Sequence, residues 1–181
     1  MLEYLILALL QLAPKSLDEG TAREHVVAAQ AASDQTGVPV DLLLGMAYVE
    51  SRYNPLSLSR IECKRKVCRR VTGIWTKSEH PPGARPSWFC GVMQVGGYVP
   101  WERCLELRDL KANYLEGAQH LSKWKRTSPC SRRRGDENLV CALQGYGGGW
   151  RAIEVNATRY AYHVIGVQHH ILRLLHKFQN V

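Results

Sequence analysis

Glu50 closes an apolar run in which Leu42, Leu43, Leu44, Met46, Ala47 and Val49 fall on nearly every side of a helix. Pro39 opens that helix and Asn54-Pro55 ends it, because proline restricts the residue before it and cannot continue the hydrogen-bond ladder. A helix apolar all round is a buried one. At its C-terminus the macrodipole disfavours negative charge, and apolar surroundings disfavour ionisation further. A carboxyl group in that position suits general acid chemistry near neutral pH. The plainer alternative is a glutamate that points to water where the helix emerges.

Four blocks of sequence favour the chemical reading. Ala47 through Pro55 resembles the glutamate-serine helix end of the soluble lytic transglycosylases, a branch of the lysozyme-like superfamily that includes goose-type lysozyme. Gly91-Val92-Met93-Gln94-Val95 is similar to the G-L-M-Q-V segment of that family. Asn113 and Gly117, followed by Leu121, resemble its N-x-x-x-G helix. Ala142 through Tyr146, with Gly149, resembles its A-Y-N-A-G stretch, and Tyr162 stands near the late tyrosine. The blocks keep the family's order and span roughly residues 24 to 175. Two departures stand out: Gly147 replaces the asparagine after the tyrosine, and the stretch 60–89 is longer than the usual connection.

The resemblance implies a mainly α, lysozyme-like α+β domain with a small irregular or β lobe. It also implies cleavage of peptidoglycan between N-acetylmuramic acid and N-acetylglucosamine, with Glu50 as acid and base. Ser51 would bond near the muramyl sugar, Met93 and Gln94 would line the cleft, and Tyr146 would orient the carboxylate. Tyr162 completes the expected substrate-binding set. Most glycosidases use two carboxylates. Here Glu62, Glu79, Glu102 and Glu106 lie nearest in sequence, and none falls in a matched block. One carboxylate suffices if the substrate's N-acetyl group stabilises the cation and the muramyl C6 hydroxyl attacks, giving a 1,6-anhydro product. A water-activating Glu62 or Glu79 would make the enzyme a hydrolytic muramidase instead. No cofactor or metal is implied.

The chain has 181 residues, 45% hydrophobic and 22% charged, with a formal net charge of +8. That length suits one domain with a substantial core. The charge suits an anionic partner, and nucleic acid, acidic lipid and the bacterial envelope all qualify. Arg60, Lys64, Arg65, Lys66, Arg69 and Arg70 gather around Cys63 and Cys68, and Arg132, Arg133 and Arg134 lie between Cys130 and Cys141. These basic segments suit anionic wall polymers or solvated surface. A nucleic-acid-binding module is the rival from another class, but no nucleic-acid fold signature accompanies them. Trp75, Trp88 and Trp150 are candidates for stacking on sugars or for core. His163, His169, His170 and His176 lie on the final helix without metal-ligand spacing.

Six cysteines allow fifteen pairings. Local closure pairs Cys63 with Cys68, Cys90 with Cys104, and Cys130 with Cys141. Disulfides imply an oxidising compartment, so the expectation is an extracytoplasmic or phage-borne monomer acting on glycan strands.

The positioning elements are read as follows. Residues 1–20 form an apolar segment that reads as the core of a signal peptide or as a docking helix; the docking helix is favoured, because no basic residue precedes Leu5 and no small-residue cleavage site follows Ala13. The catalytic domain then covers 21–181, with an insertion at 60–89. Thr21 and Glu24 form a capping box for a helix ending at Gly37. The stretch 56–89 is irregular, with a short strand at 69–73 and room for a hairpin. Leu107, Leu110, Tyr114, Gly117, Leu121 and Trp124 mark a helix. Another runs over 137–146 and stops at Gly147, Gly148 and Gly149, and Asn156 caps the last.

Overall fold

The computed structural model describes residues 1–13, 15, 17–64, 67–73, 88–97 and 101–180, with backbone only at 60–64, 67–73, 88, 97 and 101. Helix α1 (Leu2–Leu12) turns Leu5, Ile6, Ala8 and Leu9 inward and packs on α2 (Glu19–Thr36) and α7 (Arg159–Gln179). The N-cap of α2 is Asp18, whose carboxylate accepts from Thr21 N at 2.7 Å, so the expected Thr21/Glu24 capping box does not form. A carboxylate at this end also meets the positive pole of the helix. Gly37 closes α2 in the left-handed conformation, at φ 70°, as a C-terminal glycine should.

Helix α3 (Val40–Ser51) buries Leu42 through Ala47 and lies against α7. Gly45 permits that approach, since a Cβ there would sit 3.3 Å from Gln168 N. Past Ser51 the chain leaves through Arg52 and Tyr53, both at positive φ, and enters a small antiparallel sheet. Its strands are β1 (Leu58–Lys64), β2 (Val67–Gly73), β3 (Trp88–Cys90) and β4 (Val95–Gly97), in the order β2-β1-β3-β4. Of the expected lobe, irregular or β with room for a hairpin, the described residues form the β version: a hairpin of two seven-residue strands plus two short ones. Strand β1 escaped the sequence reading because Leu58 and Ile61 fall on opposite faces and leave no period-two signal.

Helices α4 (Trp101–Glu106), α5 (Leu110–Arg126) and α6 (Gly135–Glu154) complete the fold with α7, and a 3₁₀ turn (Cys130–Arg132) precedes α6. Leu107 is buried but lies between α4 and α5, because Asp109 caps α5 by accepting from Ala112 N. Helix α6 does not stop at Gly147. It continues to Glu154 and breaks only at Gly149, which takes φ 65° and ψ −161°. Nor does Asn156 cap α7; the N-cap is Thr158, and Asn156 sits at φ 49° accepting from Gln144 Nε2. The protein is thus mainly helical with a small β lobe.

Two of the expected disulfides are present: Cys90–Cys104 ties β3 to α4, and Cys130–Cys141 ties the 3₁₀ turn to α6. Cys63 and Cys68 are directly opposed in the β1–β2 register, but their side chains lie outside the described residues. So do the side chains of the basic hairpin residues and of Glu62 and Trp88, and all of Arg65, Lys66, Trp75 and Glu79. Among the described residues no helix is long and apolar enough to cross a membrane.

Candidate active site

Glu50 is half-buried in the last turn of α3. Its neighbour Ser51 sends its hydroxyl across to the turn between β3 and β4, where Oγ lies 2.9 Å from Val92 O and 3.2 Å from Ala47 O of its own helix. One hydroxyl hydrogen serves both carbonyls, and the shorter contact crosses between elements. Ser51 therefore fastens the carboxylate-bearing helix end to the turn.

The turn, residues 91–94, is held from all sides. Gly91 stands at φ 72°, and a Cβ there would overlap the Asn113 amide and the Leu107 carbonyl, so the site admits only glycine. Asn113, buried in α5, accepts from Met93 N at 2.7 Å and donates to the carbonyls of Cys90 and Leu107, both at 2.9 Å. Met93 is fully buried against Gly117, where any side chain would collide with it. Gln94 takes φ 46° and is only 3% exposed. Its Nε2 donates to the carbonyls of Ser57 and Gly91, each at 2.8 Å, while its Oε1 accepts from Ser59 Oγ at 2.6 Å. Met93 and Gln94, expected to line the cleft, are buried in this turn, where the Gln94 amide supplies fixed donors to the carbonyls of Ser57 and Gly91.

Tyr146 belongs to the same assembly. Its hydroxyl donates to Met93 O at 2.7 Å, joining α6 to the turn. On one side its ring meets His120 at 5.2 Å between centroids, and on the other it stacks on Tyr160 at 6.5 Å and 7°. His120 accepts from Trp124 Nε1 through Nε2, which places its own proton on Nδ1. Burial first, and then the Lys123 charge, hold the His120 imidazole below its ordinary pKa, with Glu116 opposing. Gly145 and Gly147 lie where side chains would collide with the rings of Trp124 and Tyr160. The Gly147 departure thus has a physical reason: it makes room for Tyr160.

Tyr162 is 61% exposed on α7, whereas Tyr160 packs beside Tyr146. Sequence reading missed Tyr160, although Tyr160, Val164, Val167 and Ile171 form a helical stripe that Tyr162 does not join. Ser57 and Ser59 carried no signal, since serines in a loop and an unrecognised strand are unremarkable. Trp150, 50% exposed, stands edge-to-face on Trp124 at 5.4 Å. Among the described residues no group of three His, Cys, Asp or Glu side chains could hold a metal ion.

Chemically, the assembly presents a carboxyl group in the last turn of a helix whose end is tied, through Ser51, to a turn that Asn113 and Tyr146 also hold. No family model, curated protein or solved structure matches the chain.

Proposed function

We propose that the protein is a peptidoglycan lytic transglycosylase with a lysozyme-like architecture and Glu50 as its single acid and base. The observation that carries this reading is the convergence of sequence-distant blocks on one turn. Ser51 beside Glu50 bonds to Val92, Asn113 bonds to Met93 N, and Tyr146 bonds to Met93 O. All of these residues lie in the blocks that carry the family resemblance.

In this reading the Glu50 carboxyl protonates the glycosidic oxygen as the bond to C1 of N-acetylmuramic acid breaks. The substrate's acetamido oxygen closes on C1 and shares the positive charge. Glu50, now a carboxylate, accepts the proton of the C6 hydroxyl as that oxygen attacks C1 and the acetamido oxygen leaves it. The acid is restored and a 1,6-anhydro sugar leaves. Proximity supplies much of the rate, so a rigid helix end is a functional requirement. The substrate is the wall's glycan strand, and the reaction takes place outside the cytoplasm, where the disulfides persist.

The test is Glu50→Gln. It should fold normally and lower the rate of wall clearing by at least ~10²-fold, the lower range for losing a general acid. Near-normal clearing by the folded variant would remove Glu50 from the mechanism.

A further inference from the structure

Behind the Tyr146–Tyr160 stack, α6 and the start of α7 enclose a groove of about 400 Å³. Gln144, Gly147, Gly148, Arg159, Tyr160 and His163 line it. Three features give it a defined chemistry. Gln144 is 1% exposed, its Nε2 donates to Asn156 Oδ1 at 3.0 Å, and its Oε1 has no hydrogen-bond partner among the described residues. A buried carbonyl oxygen in that condition calls for a donor. Arg159 is exposed at the rim and joins no ion pair among the described residues. Helix α7 begins there without a side-chain cap, and the first-turn N–H groups of a helix have no intrahelical acceptor. An uncapped helix start beside an arginine favours a carboxylate.

We propose that this groove binds the carboxylate end of an N-acylated amino acid, with the carboxylate on Arg159 and the α7 N-terminus and the adjacent amide N–H on Gln144 Oε1. A ligand with both a carboxylate and an N–H answers both groups, whereas an anion alone leaves the Gln144 carbonyl unserved. As an assignment for the substrate it rests on the proposed function, within which the unit is the peptide carried by the muramyl sugar. Tyr160, shared between groove and candidate active site, connects the two.

The test uses the full chain and N-acetyl-D-alanine as probe, with acetate and N-methylacetamide as single-function controls. The side-chain amide resonances of Gln144 should shift with N-acetyl-D-alanine and move far less with either control. Arg159→Gln, a change at an exposed position, should weaken probe binding by about tenfold or more, as loss of a charge-assisted pair does. Gln144→Met should weaken it as well; if that variant does not fold, the Gln144 resonances of the wild-type chain decide. Equal response to acetate, no response to the probe, or unchanged affinity in Arg159→Gln each overturns the assignment. The measurement needs no turnover and can be made on Glu50→Gln. Failure to bind the probe by a wall-cleaving protein removes the groove assignment and leaves the enzymatic reading standing. Probe binding by a protein that cleaves no wall does the reverse.

Discussion

The Ser51 hydroxyl lies 2.9 Å from the carbonyl oxygen of Val92, forty-one residues away along the chain, and this contact clamps the end of α3 to the β3–β4 turn. Glu50 is the residue next to that clamp. A displacement of the helix end by even one ångström moves the carboxyl group relative to a substrate held by the rest of the molecule. Ser51→Ala should therefore cost about 1 kcal/mol of stability, the usual worth of one internal hydrogen bond. It should lower turnover more, by roughly ten- to a hundredfold, as misplacement of a catalytic group does. Thermal unfolding and wall-clearing rates measured on one preparation check both. Full activity in the folded variant would show that the clamp does not position Glu50.

The products discriminate between two reactions of the same carboxyl group. A hydrolase must place a water on the sugar, which ordinarily takes a second carboxylate. The blocks that carry the resemblance hold two carboxylates, Glu50 and Glu116, and Glu116 is paired with Arg103. The major muropeptides should therefore end in 1,6-anhydro-muramic acid, one water lighter than hydrolytic products. Mass spectrometry of a digested wall reads this directly. Predominantly reducing ends would make the enzyme a muramidase, and Glu62 and Glu79 would be the first substitutions to make.

The two described disulfides should be separable in their effects. They close loops of sequence separation 14 and 11, and loops of that size are worth about 3 kcal/mol each in the chain-entropy account. For a chain of this length that corresponds to roughly 6 to 12 °C of melting temperature per bridge. Cys90 adjoins Gly91 of the site turn, whereas Cys130–Cys141 lies in a separate small cluster with Ile153 and Trp124. Replacing Cys90 and Cys104 by serine should lower both stability and activity. The same change at Cys130 and Cys141 should lower the melting temperature alone. Equal loss of activity in both pairs would contradict this division.

His25 makes stability depend on pH. It is buried, with Nδ1 3.1 Å from the Tyr114 hydroxyl, and burial pulls its pKa from 6.5 to about 4, against a backbone hydrogen bond involving Tyr53. The unfolded chain takes up a proton below about 6.5, whereas the folded chain resists until about 4. The unfolded state thus binds more protons between these values, and stability falls as pH drops through that window. The loss should total about 3 kcal/mol and level off below pH 4. His25→Gln, which cannot titrate, should flatten this part of the curve in denaturant unfolding at pH 7 and pH 4.5. An unchanged slope would place the acid sensitivity in other groups.

The sequence by itself determined the elements with local causes. Pro39 and the apolar run defined α3, Gly37 ended α2, and the spacing of Val164, Val167 and Ile171 marked the buried face of α7. It also singled out Glu50, Asn113, Gly117 and Tyr146, and two local cysteine pairs. Signals of this kind act within a few residues, so a string carries them. Relations between distant segments emerged only from the packing of the folded chain. Asp18 displaced Thr21 as the α2 cap because cap geometry depends on how the chain enters the helix. Met93 and Gln94 proved to be buried, since Gln94 donates to the carbonyls of Ser57 and Gly91 and the Met93 backbone is held by Asn113 and Tyr146 from distant helices. Tyr160 took the place beside Tyr146 because Gly147, seventeen positions before Val164, leaves room for a ring that only the packing of α6 on α7 brings there.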